Sequence, residues 1–215
     1  MKRLAVPAFA LLFAAAAAAA PAPLPPPGPD GWIPLFNGKD LAGWSGDPAV
    51  WRVTDGCISG RADKVDQNTF LIFEHPFADF VLELDGMLLK GPGFVNSGVQ
   101  YRSKVLDPAK WVVGGYQADM GEGWWGACYE ERGRGVLWKP SDAATKAARP
   151  FDAWNRIVIE ATGTTIRQTL NGVPAGELDD RDEAKRAASG VVALQYHSPG
   201  GFEVRFRNIR IRLTK

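Results

Sequence analysis

Three short segments of the chain pair hydrogen-bonding side chains two residues apart. In Asn96-Ser97-Gly98-Val99-Gln100-Tyr101-Arg102, the even positions carry Asn96, Gln100 and Arg102. In Tyr116-Gln117-Ala118-Asp119 the pair is Gln117 and Asp119, and in Leu194-Gln195-Tyr196-His197 it is Gln195 and His197. Residues two apart share a face of an extended strand. If the three strands are neighbours, amides, an arginine, a carboxylate and an imidazole pave one surface. Wet sheet faces are ordinarily polar, but amide-plus-ionisable pairs on three strands suit recognition of sugar hydroxyls, because amides and guanidinium offer fixed, directional groups.

The second segment runs on into GYQADMGEGWWGACYEERGRG, Gly115 to Gly135, with six glycines, a tryptophan pair, two tyrosines, four acids and two arginines. Trp124, Trp125 and Tyr129 offer faces on which a pyranose ring could lie, or they pack the core as large aromatics usually do. The glycines would let the backbone bend close to a ligand.

The elements that must position these residues are strands. Phe80, Leu82 and Leu84 alternate with polar neighbours, as do Ile157, Ile159 and Ala161. Ile166 to Leu170 leads into Asn171-Gly172, a preferred tight-turn dipeptide. In EVRFRNIRIRLT the apolar positions change parity between Phe206 and Ile209, which predicts a bulge at Arg207-Asn208 that keeps Val204, Phe206, Ile209, Ile211 and Leu213 facing inward. Helical patterns are confined to Ala143–Ala148 and Asp182–Ala188, a turn or two each. Many short strands with Gly, Pro and Asn punctuation predict an all-β, two-sheet antiparallel sandwich of the jelly-roll kind.

Residues 1–20, MKRLAVPAFALLFAAAAAAA, read as a secretory signal peptide, with cleavage near Ala19, Ala20 or Ala22. Residues 21–30 form a proline-rich linker, and 31–215 a single domain. This predicts an exported protein, periplasmic or extracellular, with no membrane span after signal cleavage. A net charge of +1 gives no reason to expect nucleic acid. Cys57 and Cys128 could bridge in an oxidising compartment or remain buried thiols. The oligomeric state is not encoded in any pattern found.

GWIPLFNGKDLAGW (31–44), WRVTDGCISG (51–60), NSGVQYRS (96–103), GYQADMG (115–121), WNRIVIEATG (154–163), LNG (170–172) and VRFRNIRI (204–211) occur in that order. Together they resemble the 3-keto-disaccharide hydrolases, also described as 3-keto-glucoside 1,2-lyases and 3-keto-2-hydroxyglucal hydratases, formerly a domain of unknown function. The resemblance runs from about Gly31 to Leu213. It implies a concanavalin-like jelly roll, export and action on oxidised glycosides. By position, Asn96, Gln100 and Arg102 match the family's polar strand, and Tyr116, Gln117 and Asp119 its GYQ/GYE-type strand. Gly126, Tyr129, Glu130 and Arg132 match the G-x-x-Y-[DE]-x-x-R region, with Cys128 where an aliphatic residue is expected, and Gln195 and His197 match the late strand.

A ketone at C3 acidifies the C2 proton of a sugar. Its removal gives an enolate that can expel the C1 substituent, and water added to the resulting enone gives the free 3-keto sugar. This chemistry needs a base, a partner for the C3 oxyanion and an acid at the leaving oxygen. Asp119, Glu130 and His197 are the candidate acid–base groups, with Asp119 or His197 the first choice as base. Arg102 and Arg132 are candidate oxyanion partners, and Gln100, Gln117 and Gln195 would orient hydroxyls. A divalent metal could replace an arginine as Lewis acid, although two histidines without HxH or HxxxH spacing form no metal motif. His75, beside Pro76, reads as a bystander. Two rivals remain: a non-catalytic carbohydrate-binding module, and a two-carboxylate glycosidase. Glu83-Leu84-Asp85 resembles the E-x-D-x-x-E strand of jelly-roll glucanases, but position 88 is leucine.

Overall fold

The alternation of Phe80 to Leu84 continues to Leu89 as one strand, whose even-numbered residues Phe80, Leu82, Leu84 and Leu88 are all buried. That strand lies in the middle of one of two stacked sheets in a computed structural model describing residues 23–214. The signal-peptide reading of residues 1–20 and its cleavage point lie outside the described residues.

In chain order the strands are β1 (Ile33–Pro34), β2 (Trp44–Ser45), β3 (Trp51–Thr54), β4 (Cys57–Ala62) and β5 (Thr69–Phe77). There follow β6 (Phe80–Leu89), β7 (Asn96–Asp107), β8 (Val112–Gly121), β9 (Cys128–Glu131) and β10 (Gly135–Trp138). The last five are β11 (Asn155–Thr162), β12 (Thr165–Leu170), β13 (Val173–Asp179), β14 (Gly190–Tyr196) and β15 (Phe202–Leu213). One sheet has the order β13-β12-β11-β6-β15-β4-β3, with β1 on β15; the other has the order β10-β9-β8-β7-β14-β5-β2. Every pairing is antiparallel. The all-β jelly-roll sandwich is therefore the architecture observed, and the chain from β1 to β15 builds one core between the two sheets.

Local chemistry explains the punctuation. Asn171 and Gly172 both take positive φ, 52° and 80°, as a two-residue hairpin between β12 and β13 requires. The register of β15 against β6 shifts between Arg207 and Arg210, with Asn208 at φ 55°, so the expected bulge is present. It keeps Val204, Phe206, Ile209 and Ile211 buried. Leu213 departs from that expectation: it is the last residue of β15, pairs with Phe80, and is 52% exposed. The pattern at Ala143–Ala148 forms a short helix, α1 (Asp142–Ala147), capped by Ser141 Oγ accepting from Ala144 N at 3.1 Å. Asp182–Ala188 makes only a turn, through Lys185 N and Arg186 N to the Asp182 carbonyl. Cys57 and Cys128 are both buried and both free.

A second bulge decides the fate of Arg102. Strand β7 loses register against β8 between Tyr101 and Lys104, and Arg102 sits there at φ 45°. The parity that would have placed it beside Gln100 ends at this point. Its guanidinium instead donates to the Ala78 carbonyl at 2.7 Å, the Gly163 carbonyl at 2.8 Å and Asp79 Oδ1 at 2.8 Å. Asp79 also accepts from Gly163 N at 3.0 Å. Arg102 thus clamps the β5–β6 turn to the β11–β12 turn, and so one sheet to the other.

Arg102 is 2% exposed. Removing the guanidinium leaves two carbonyls and a carboxylate short of a donor; because Asp79 is one-third exposed, water recovers part of the loss. Arg102→Met should lower unfolding free energy by about 2–4 kcal/mol, measured by urea denaturation. An unchanged midpoint would show that the clamp carries no weight.

Candidate functional site

Strands β9, β8, β7 and β14 are consecutive neighbours, so the three polar segments do lie side by side. Along β8, Tyr116, Ala118 and Met120 pack into the core between the sheets, which turns Gln117 and Asp119 to the opposite face. On that face a cavity of about 260 Å³ is lined by Asn96, Gln117, Asp119, Trp124, Tyr129, Gln195 and His197, together with Asn68, Phe94 and Glu131. Seven of the side chains expected from the sequence therefore meet.

The strand register explains how they fit. Gly98 pairs with Asp119 and Gln100 with Gln117. A Cβ on Gly98 would come within 2.4 Å of Gln117 Cδ, so the Gln117 side chain lies flat where glycine leaves room. Gln117 Oε1 accepts from Gln100 Nε2 at 2.7 Å, and Gln100 Oε1 accepts from Ser103 Oγ at 2.6 Å. This chain fixes the amide orientation and turns Gln117 Nε2 outward as a donor. Ser97 Oγ donates to the Gln195 carbonyl at 2.6 Å, which ties β7 to β14 beneath the cavity.

Asp119 is 6% exposed. Its Oδ1 accepts from Asn96 Nδ2 and from Met120 N, each at 2.9 Å. Oδ2 has neither bond. Burial raises its pKa from 3.8 to about 6, opposed by those two bonds, with the Glu131 carboxylate raising it further and Lys139 lowering it. His197 Nδ1 is hydrogen-bonded to the Ser198 carbonyl. A carbonyl only accepts, so Nδ1 carries the proton and Nε2 is left to exchange one. The Phe94 ring lies edge-on to His197, with centroids 5.1 Å apart. Gln195 is 1% exposed, and its Oε1 has no hydrogen-bond partner while its Nε2 reaches Glu131 Oε2 at 3.5 Å. A buried amide oxygen without a donor is costly. Trp124 carries the Lys139 ammonium 3.7 Å over its ring.

The remaining expected residues lie elsewhere. Gln100, fully buried, supports Gln117 from beneath. Tyr116 stacks on Tyr101 in the core and bonds Asp180 through its hydroxyl. Trp125 is 1% exposed and donates to the Pro150 carbonyl at 3.3 Å. Glu130 is paired in register with Tyr116, on the core side of β9, and Arg134 Nε holds its Oε2 at 2.7 Å. Arg102 serves the clamp described above, and Arg132 lines a neighbouring cavity. Among the described residues no arginine lines the Asp119 cavity, which corrects the assignment of Arg102 and Arg132 as oxyanion partners and of Glu130 as an acid–base group there. Among the described residues, no three His, Cys, Asp or Glu side chains cluster as a metal ligand set.

Three residues of the cavity escaped sequence reasoning. Glu131 was within reach of it: strand parity from Tyr129 selects 131 rather than 130. Asn68 donates to Glu131 Oε1 at 3.3 Å and accepts from Ser198 N at 3.0 Å. It comes from the loop before β5, and Phe94 from Gly91-Pro92-Gly93-Phe94 before β7, where no periodicity marks them.

Comparison with known proteins agrees with this architecture. A curated 3-keto-disaccharide hydrolase of Bacteroides thetaiotaomicron is 30% identical over 167 residues, 64% of this chain and 54% of that protein. The match thus spans about half the relative's length. A Parabacteroides distasonis structure provisionally described as a glycosyl hydrolase superposes with TM-score 0.64 at 21% identity, covering 86% of this chain and 95% of the other. A carbohydrate-binding module of Bacillus subtilis superposes with TM-score 0.60 at 18% identity, covering 79% and 95%. At such identities the two structures share the fold alone. Residues 31–212 match the model of the 3-keto-alpha-glucoside-1,2-lyase-like domain, and the chain belongs to that family.

Proposed function

We propose that this protein is an exported enzyme that cleaves 3-keto-glycosides by removing the C2 proton, eliminating the C1 substituent and adding water. The observation that carries the reading is Asp119: a buried carboxylate with one oxygen saturated and the other free, in a cavity of sugar-sized aromatic and amide groups. Its relatives' names supply the substrate class, and its N-terminal sequence the export.

Oδ2 of Asp119 takes the C2 proton. The released electron pair forms the enolate, whose C3 oxygen takes a hydrogen bond from Gln117 Nε2, with the Lys139 charge at the rim favouring the anion. The pair then moves into a C1–C2 double bond as the C1–O bond breaks, and imidazolium His197 gives its Nε2 proton to the leaving oxygen. In the return half, His197 takes a proton from water as its oxygen bonds C1, and Asp119 returns its proton to C2. Both groups end in their starting states. Trp124 and Tyr129 offer ring faces to the sugar.

The raised pKa has a cost with a definite sign. Between pH 3.8 and about 6 the unfolded chain ionises at this position while the folded one holds the proton. Folding stability therefore falls as pH rises through that window and stays lowered above it. Asn at 119 keeps the oxygen that accepts from Asn96 and Met120 N but never ionises. Asp119→Asn should gain stability over wild type progressively from pH 4 to pH 6, by up to about 3 kcal/mol, and hold the gain at higher pH. Parallel denaturation curves across that range test this, and a difference independent of pH would refute the assignment.

With a 3-keto-disaccharide, kcat/KM should be bell-shaped in pH, with an acid limb near 6 set by Asp119 and an alkaline limb set by loss of the imidazolium proton that the leaving oxygen requires, and the product should carry solvent deuterium at C2. Asp119→Asn and His197→Ala should each reduce turnover about 10²–10⁴-fold while remaining folded. Binding of sugars without turnover of any 3-keto-glycoside would leave a binding module instead.

A further inference from the structure

Two carboxylates line the Asp119 cavity, Asp119 itself and Glu131, and the reaction proposed above uses only the first. Glu131 stands on β9 in register with Gly115, is half-buried, and is held by amides. Its Oε1 accepts from Asn68 Nδ2 at 3.3 Å and its Oε2 from Gln195 Nε2 at 3.5 Å. Asn68 is itself fixed, its Oδ1 accepting from Ser198 N at 3.0 Å. The carboxylate of β9 is thus tied to the loop before β5 and to β14.

Its charge is not cancelled. Among the described residues Glu131 forms no ion pair. Glu130, one residue earlier and on the other face of the strand, is gripped by Arg134, whose Nε donates to its Oε2 at 2.7 Å. One strand therefore neutralises a glutamate and leaves the next one charged. An amide donor fixes a carboxylate without opposing its field as a cation does, because the amide has no net charge. The rest of the cavity lining offers amides, the rings of Phe94, Trp124 and Tyr129, and His197, while Lys139 stands over Trp124 at the rim. On its other flank Glu131 borders the cavity of Lys104, Arg132, Arg134 and Lys185, none of which pairs with it.

Like charges in one small, ring-walled cavity repel, which favours a proton on one of them. Burial is the first cause of the raised Asp119 pKa, and the Glu131 charge adds to it against Lys139. Resting on the reaction proposed above, we infer that Glu131 is a positioning residue for C2-proton abstraction: a carboxylate pinned by Asn68 and Gln195 whose uncancelled charge drives Asp119 to take up the proton. Glu131 gives and receives no proton, so the proton transfers at Asp119 and His197 stand as written.

Glu131→Gln keeps the length of the side chain and an acceptor for Asn68 but removes the charge. The Asp119 signal in the carboxyl-carbon NMR spectrum, identified by its loss in Asp119→Asn, should titrate about half a pH unit or more lower in Glu131→Gln than in wild type. Glu131→Asp, which keeps the charge, should stay closer to wild type. With a 3-keto-disaccharide, the acid limb of kcat/KM should move down with the NMR midpoint, and the plateau should fall about three- to tenfold because the weaker base abstracts more slowly. A role confined to packing would slow both variants and leave the limb in place. That result, or an Asp119 midpoint unchanged in Glu131→Gln, overturns the inference and leaves the reaction intact. A shifted midpoint without turnover of any 3-keto-glycoside sustains the action of Glu131 on Asp119 and removes the reaction instead.

Discussion

The site depends on one close approach. Gln117 can lie across β7 only because position 98 has no side chain, since a Cβ there would press to 2.4 Å from its amide carbon. From that contact follow the Gln100 and Ser103 bonds that choose which end of the Gln117 amide faces the cavity. The same strand pairing sets Gly98 opposite Asp119, and Asn96, two residues earlier, reaches back to saturate one carboxylate oxygen. A short run of β7 thus prepares a donor and a base together. Neither residue needs a loop to hold it, and rigid strands place catalytic groups more closely than loops do.

The two bulges show how the fold spends irregularity. In β15 the extra residue rescues an apolar face whose parity would otherwise be lost, and Ile209 and Ile211 return to the core. In β7 it does the reverse: it takes a charged side chain off the polar face and sends it between two turns. Without that turn the guanidinium would have stood beside Gln100, in competition with the uncharged donors that line the cavity. The charges near the carboxylate are instead Glu131 and, at the rim, Lys139.

Much of this was legible in the residues. Phe80, Leu82, Leu84, Ile157 and Ile159 reveal buried strand faces by alternation alone, and Asn171-Gly172 reveals its hairpin by turn chemistry. The side-by-side placement of Gln117, Asp119, Gln195 and His197 followed from the same period of two, combined with a jelly-roll order. Parity fails where the backbone leaves the β region, as it does at Arg102, because a positive φ at one residue leaves no trace in composition. At β9 the choice between Glu130 and Glu131 is a matter of counting from Tyr129. Trp125 and Tyr116 illustrate a different limit: an aromatic beside a sugar site and an aromatic beneath it have the same letter, and only depth separates them. Asn68 and Phe94 come from loops, whose paths are set by contacts distant in sequence.

The two cysteines have a consequence for manufacture. Cys57 sits at the start of β4 and Cys128 deep in the core against the Tyr101 hydroxyl, neither bridged. The core needs no covalent staple, so the domain reaches the same state whether or not its surroundings oxidise thiols. Production in a reducing or in an oxidising compartment should deliver the same folded domain.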